Sequence, residues 1–244
     1  MTASQRVVPA TTPLELDVER LAALQQLSSP ALPIGSFSYS QGLEAAVELG
    51  LVHDEASTLD WLQAHLHSVI ADGDAPLWCL LHRAWLRHDA AALAHWNDWF
   101  FASRETQELR LETVQMGESL ARLAHELDWG STAERAPLAS LQPMTLPLVH
   151  SFACAAWAIP ENAGLAAYLF TWMESQVTAA IKSVPVGQVA AQRILTRLRQ
   201  QLPGVLREAQ RRSRAEPPEL QTLAPQYGIV SARHESQFSR LFRS

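Results

Sequence analysis

Arg104–Leu127 reads RETQELRLETVQMGESLARLAHEL, and this stretch decides the fold class. Leu109, Met116, Leu120, Leu123 and Leu127 recur at spacings of seven, four, three and four, which is one face of an α-helix rather than the alternation of a strand. The stripe predicts a long central helix. Toward the N-terminus, Asp89 can cap a shorter helix carrying Leu93, Trp96, Trp99 and Phe100, and Pro76 can open another through Leu77, Leu80, Leu81 and Trp85. Asp72-Gly73-Asp74 reads as a break before it. Ser57 with Asp60 resembles a capping box for a helix through Leu59, Leu62, Leu66, Val69 and Ile70. Asp17 can cap a first helix through Val18, Leu21, Leu24 and Leu27.

Toward the C-terminus, residues 130–143 read as a surface loop. Residues 146–158 and 161–184 are rich in alanine and small side chains, which permits close helix approach in a core or a subunit interface. Pro185 ends the second of these, residues 189–202 resume helical spacing, and Arg207 to Arg214 form a basic helix end. No strand-length alternation or fixed repeat occurs. The expectation is an all-α domain of about ten packed helices over residues 17–224, preceded by a flexible arm (1–16) and followed by a partner-binding tail (225–244).

The 244 residues carry a net charge of −6 and 48% hydrophobic side chains, ordinary for a soluble globular chain and against a nucleic-acid role. Cys79 and Cys154 stand 75 positions apart without CxxC spacing, which fits a reducing compartment. With no secretory signal and no bilayer-length apolar run, the location reads as cytoplasmic, without membrane association. Of nineteen basic residues only Lys182 is lysine.

The stretch Ser28–Glu44 holds Pro30, Pro33, Gly35 and four serines after Ser28, so it is a shaped loop that ends by starting a helix near residue 38, closed by Gly50. Its Leu32, Ile34, Phe37 and Tyr39 need a surface to pack on, either the domain's own core or a partner. A phosphate loop is excluded because no glycine stands in register before Lys182, and neither Glu-x-x-His pairs nor HExxH occur. Cys79 and His82, three apart, suit either a ligand pair or a packed thiol beside a histidine. Glu105, Glu108 and Glu112, spaced i, i+3 and i+7, make a carboxylate stripe on the long helix. That stripe is either a solvated face or the acidic lining of a wet channel or docking face.

Four blocks together resemble the urease accessory protein family UreF: residues 27–44; 104–113 with Gln115-Met116-Gly117; Gln176–Gln188; and Arg233–Ser244. They run in one order from residue 27 to the C-terminus. Phe238 stands where the family often has tyrosine, and Ser183 and Val186 where leucines are common. The resemblance implies an all-helical, non-enzymatic scaffold with no cofactor or metal of its own. It would form a homodimer, bind UreH (also called UreD), recruit the nickel-carrying GTPase UreG, modulate it, and help load nickel into apo-urease. By the same resemblance Tyr39, Arg233, His234, Glu235, Phe238, Arg240, Leu241, Phe242 and Arg243 would be ordered against UreH. The tail folding back on its own domain is the alternative. Lys182, Pro185 and Gln188 would face UreG, unless Lys182 is only a helix-end charge. Glu105, Glu108 and Glu112 would line a polar nickel route. The competing class of function is a helical enzyme or small-molecule binder with a His/Glu pocket assembled only in three dimensions.

Overall fold

Asp17 accepts a hydrogen bond from the Arg20 amide and so starts α1 (Val18–Leu27) in the computed structural model, which describes residues 16–244. Only Leu24 and Leu27 of its apolar set are buried, while Val18 and Leu21 face outward. The arm expected over residues 1–16 lies, apart from Leu16, outside the described residues. The Ser28–Gly42 segment contains one short 3₁₀ turn, Ser36–Ser38, and the next helix, α2 (Leu43–Glu48), begins five residues later than expected. Gln41 and Gly42 both have positive φ, which interrupts any helical run from residue 38. Gly50 closes the segment in the left-handed region, as its position implied.

The capping box of α3 (Glu55–His65) is formed by Asp54 and Ser57, not by Ser57 and Asp60. Asp54 accepts from the Ser57 amide and Ser57 accepts from the Asp54 amide, so the helix starts earlier than the apolar pattern suggested. The break expected at residues 72–74 does not occur. The chain passes through a wide π-helical stretch, Leu66–Asp74, straight into α4 (Ala75–Leu86). The Ala75 amide bonds to Ile70, five residues back, and Pro76, which has no amide hydrogen, stands in the first turn of α4. Gly73 is needed for close approach: a Cβ there would lie 2.5 Å from the Thr222 methyl and 2.9 Å from the Gln221 carbonyl oxygen. The Gln221 amide donates to the Asp72 carbonyl at the same place.

Asp89 caps α5 (Ala90–Ser103) through the Ala92 amide, and Thr106 caps α6 (Gln107–Glu126) through Leu109. Arg104 and Glu105 therefore precede the long helix. Residues 130–143 are more structured than a surface loop: α7 (Thr132–Arg135) and a 3₁₀ turn, Ala136–Ser140, carry the chain, with Leu138 and Leu141 buried. The remaining helices are α8 (Leu146–Ala156), α9 (Glu161–Ser183), α10 (Gln188–Arg199), α11 (Leu202–Arg214) and α12 (Pro225–His234). No strand occurs among the described residues.

The main core gathers Trp78 and Leu81 of α4, Leu120 of α6, Leu148 and Phe152 of α8, and Leu165 and Leu169 of α9. At Gly117, α6 lies so close to the segment entering α8 that a Cβ would overlap the Met144 carbonyl oxygen. A second, smaller cluster joins Leu43, Ala46 and Val52 to Ala179, Ala180 and Val184 at the end of α9, and to Val230 and Phe242. Val230 and Phe242, both beyond residue 225, thus pack on the rest of the fold.

Candidate partner-binding site

Three glutamates organise the seam between the early loop and the C-terminal residues. Glu44 comes from the first turn of α2, and Glu108 and Glu112 from consecutive turns of α6; all three are buried. Unpaired carboxylates in such a place would be costly, and each is matched with donors from the end of the chain. Glu44 accepts from the Leu241 amide at 2.7 Å and the Phe242 amide at 3.0 Å. Glu108 pairs with Arg240 at 2.6 Å. Glu112 accepts from the Ser244 hydroxyl at 2.9 Å and from Gln41 at 2.6 Å. His234, 0% exposed, lies between the first two, with Nδ1 2.7 Å from Glu108 and Nε2 3.1 Å from Glu44. The Ser244 carbonyl accepts from both the amide and the hydroxyl of Ser40.

Behind this seam lies a second polar layer. Asp74 and Arg104 form a buried bidentate pair, with the guanidinium also 4.1 Å from the centre of the Phe100 ring. Burial raises the Asp74 carboxyl, opposed by the Arg104 charge. Tyr39 donates to Gln115, and the Gln41 carbonyl accepts from the Trp172 indole. Tyr39, Gln41, Asp74 and Trp172 border a cavity of about 70 Å³ lined also by Glu112, His150, Tyr168 and Gln176. Burial pushes Glu112 up to about 7, against the hydrogen bonds from Gln41 and Ser244. Burial holds His150 down at about 3, so its ring is neutral there.

The outer side of the same region is apolar and cationic. Phe238 is 106% exposed, Leu241 71% and Phe37 58%. Arg233, Arg240 and Arg243 are exposed among them. The Lys182 ammonium sits 5.8 Å from the Phe37 ring centre and 5.4 Å from that of Phe242, so the one lysine bridges the early loop and the C-terminal residues across the end of α9.

A UreF family model matches residues 52–199 of this chain. The chain is also 66% identical over 218 residues to a urease accessory protein UreF of Bordetella parapertussis, covering 89% of this chain and 99% of that one. The chain belongs to the UreF family. A UreF of Cupriavidus necator is 54% identical over 227 residues, covering 93% of this chain and 99% of that protein. The bifunctional urease accessory protein UreEF of Bordetella bronchiseptica is 66% identical over 229 residues, 94% of this chain. The present chain spans about half of that longer relative, 53% of its length.

Within this UreF chain the residues expected to face partners divide into two groups. Tyr39, His234 and Phe242 are interior, so their side chains face this domain and not its surroundings. Arg233, Glu235, Phe238, Arg240, Leu241 and Arg243 are exposed, although Glu235 also accepts from the Gln107 and Glu108 amides at the start of α6. Lys182, Pro185 and Gln188 are exposed together at the α9–α10 turn. The carboxylate stripe is corrected: Glu105 precedes α6 and is exposed, while Glu108 and Glu112 are buried. Neither is a solvated face. Arg104, next to Glu105 in sequence, pairs with Asp74. Cys79 and His82 are both buried, and the His82 ring stacks on Trp78. Among the described residues no three His, Cys, Asp or Glu side chains are grouped to hold a metal ion, and no helix is long and apolar enough to cross a membrane. Residue spacing did not point to Gln41 or Ser244 and marked Ser40 only as a hydroxyl able to cap the following helix. Glu44 was legible only as a first-turn acid.

Proposed function

We propose that this chain is a non-catalytic scaffold of urease maturation. It docks UreH (UreD) on the ridge formed by Phe37, Phe238, Leu241 and the neighbouring arginines, and forms a homodimer that carries two UreH copies. The assembly recruits UreG, modulates its GTPase and assists nickel delivery to apo-urease. Nucleotide and resident metal belong to the partner GTPase. The observation that carries this reading, beside UreF family membership, is an apolar and cationic ridge left in water on a frame of buried, paired carboxylates. Such a combination suits a partner surface: aromatic and arginine side chains dominate the energetics of interfaces, and leaving them exposed has no return within the chain itself. Lys182, with Pro185 and Gln188 beside it, is the surface proposed for UreG. Glu108 and Glu112 remain the carboxylates of a polar nickel route, with Glu105 outside it.

Co-purification tests the proposal. The chain is expressed with a cognate UreH, UreG is then added with nickel and GTP, and the masses are read by size-exclusion with light scattering. A dimer carrying two UreH copies that captures UreG is the expected result. A chain that ignores both partners sinks the reading, and Lys182→Ala binding UreG as wild type does removes the lysine from it.

A further inference from the structure

We propose that the groove at the start of α12 is a binding site for a small carboxylate carried on a flat apolar body. The groove is lined by Trp61 and His65 of α3, Ser68 of the π-helical stretch and residues 223–227, around a volume of about 450 Å³. It shares no residue with the ridge or with the α9–α10 turn. The ring centres of Trp61 and His65 stand 6.4 Å and 4.1 Å from that of Tyr227, which gives a planar ligand aromatic surface to pack on.

What the groove lacks is a hydrogen-bond acceptor. No side chain caps α12, and Pro225 at its first position has no amide hydrogen. The Gln226 and Tyr227 amides that follow have no partner among the described residues. Water can satisfy amides at the mouth of a groove, but two further nitrogens are shut away from it. The Trp61 indole nitrogen and His65 Nδ1 are buried, and among the described residues neither has a hydrogen-bond partner. His65 as a whole is 5% exposed. An indole can only donate. Burial, with the Arg104 charge adding to it, holds His65 down at about 3, so the ring is neutral with one N–H. An acceptor beside Nδ1 would keep that proton on Nδ1. Unpaired donors in such a place are costly, and the start of a helix favours negative charge. A carboxylate meets both needs, while the three rings hold the rest of the ligand. Glu105, whose carboxylate a Cβ at Gly228 would overlap, is an acid beside this turn but is not part of the groove's lining. As a like charge it opposes the ligand without taking its place.

Titration of the full chain with benzoate tests this, followed through the Trp61 indole and the Gln226 and Tyr227 amide signals in proton–nitrogen NMR spectra. Benzamide offers the same ring without the charge, and inorganic phosphate offers charge without the ring. Benzoate should shift all three signals saturably and bind at least about tenfold more tightly than benzamide, as a charge-assisted hydrogen bond requires. Phosphate should bind more weakly than benzoate. Trp61→Phe, which keeps a ring and removes the donor, should weaken benzoate several-fold. Equal binding of benzoate and benzamide would leave only an apolar groove and overturn the inference. Phosphate binding as tightly as benzoate, or no shift at millimolar benzoate, would overturn it too. Should Trp61→Phe fail to fold, the three compounds compared on the wild type decide alone.

Discussion

The main core and the C-terminal seam are built on opposite principles. The core is a set of large apolar side chains such as Trp78, Leu120 and Phe152, brought together by helices whose apolar faces recur every three or four residues. The seam joins Glu44, Glu108 and Glu112 to C-terminal residues between 126 and 198 positions away through charge and hydrogen bonding, beside the small apolar cluster that holds Val230 and Phe242. Burial in the core is favourable whatever the detailed partner, whereas each seam carboxylate is stabilising only while its own donors are in place. The core should thus govern whether the chain folds, and the seam what its surface presents.

The largest effect is expected in the core. Phe152→Ala should destabilise the whole domain by about 3–5 kcal/mol, read as a lower denaturant midpoint with the unfolding of all helices together. A loss confined to the C-terminal residues would blur the comparison. A smaller effect, with a distinctive pH dependence, belongs to Glu112. Its folded carboxyl is raised to about 7, from 4.5, by burial first. The stability it contributes is fully present below the ordinary carboxylate range and is lost as pH rises through about 7, on the order of 3 kcal/mol in all. Glu112→Gln, which cannot ionise, should show a correspondingly smaller drop in unfolding free energy between acid and mildly alkaline buffer. An identical drop in both proteins would mean that the Glu112 site is wet. Least of all should Phe238→Ala matter to folding: its side chain is in water, and the shift in unfolding free energy should stay within about 0.5 kcal/mol. Its effect is expected on UreH capture.

The same contrast explains what the sequence made legible. The helices read from a regular apolar stripe were expected close to where they lie, α6 above all, because helical periodicity is a local signal. The errors fall where a single residue or a distant segment decides. Positive φ at Gln41 and Gly42 delays α2, and the π-helical stretch carries the chain past Asp72-Gly73-Asp74 because residues 221 and 222 pack against Gly73. The seam was legible in part. Arg233–Ser244 and the loop at Tyr39 stood out by resemblance, yet nothing local could tell that His234 and Phe242 point inward while Phe238 and Leu241 point outward. That choice is made by Glu44 and Glu108, which come from α2 and α6.

The most direct test of the account is hydroxyl-radical footprinting of the chain alone and bound to UreH. Binding should protect Phe37, Phe238 and Leu241 from labelling and leave the already buried Tyr39 and Phe242 unchanged. Unchanged labelling of Phe37, Phe238 and Leu241 in a complex that has formed would contradict the claim that this ridge is the partner surface.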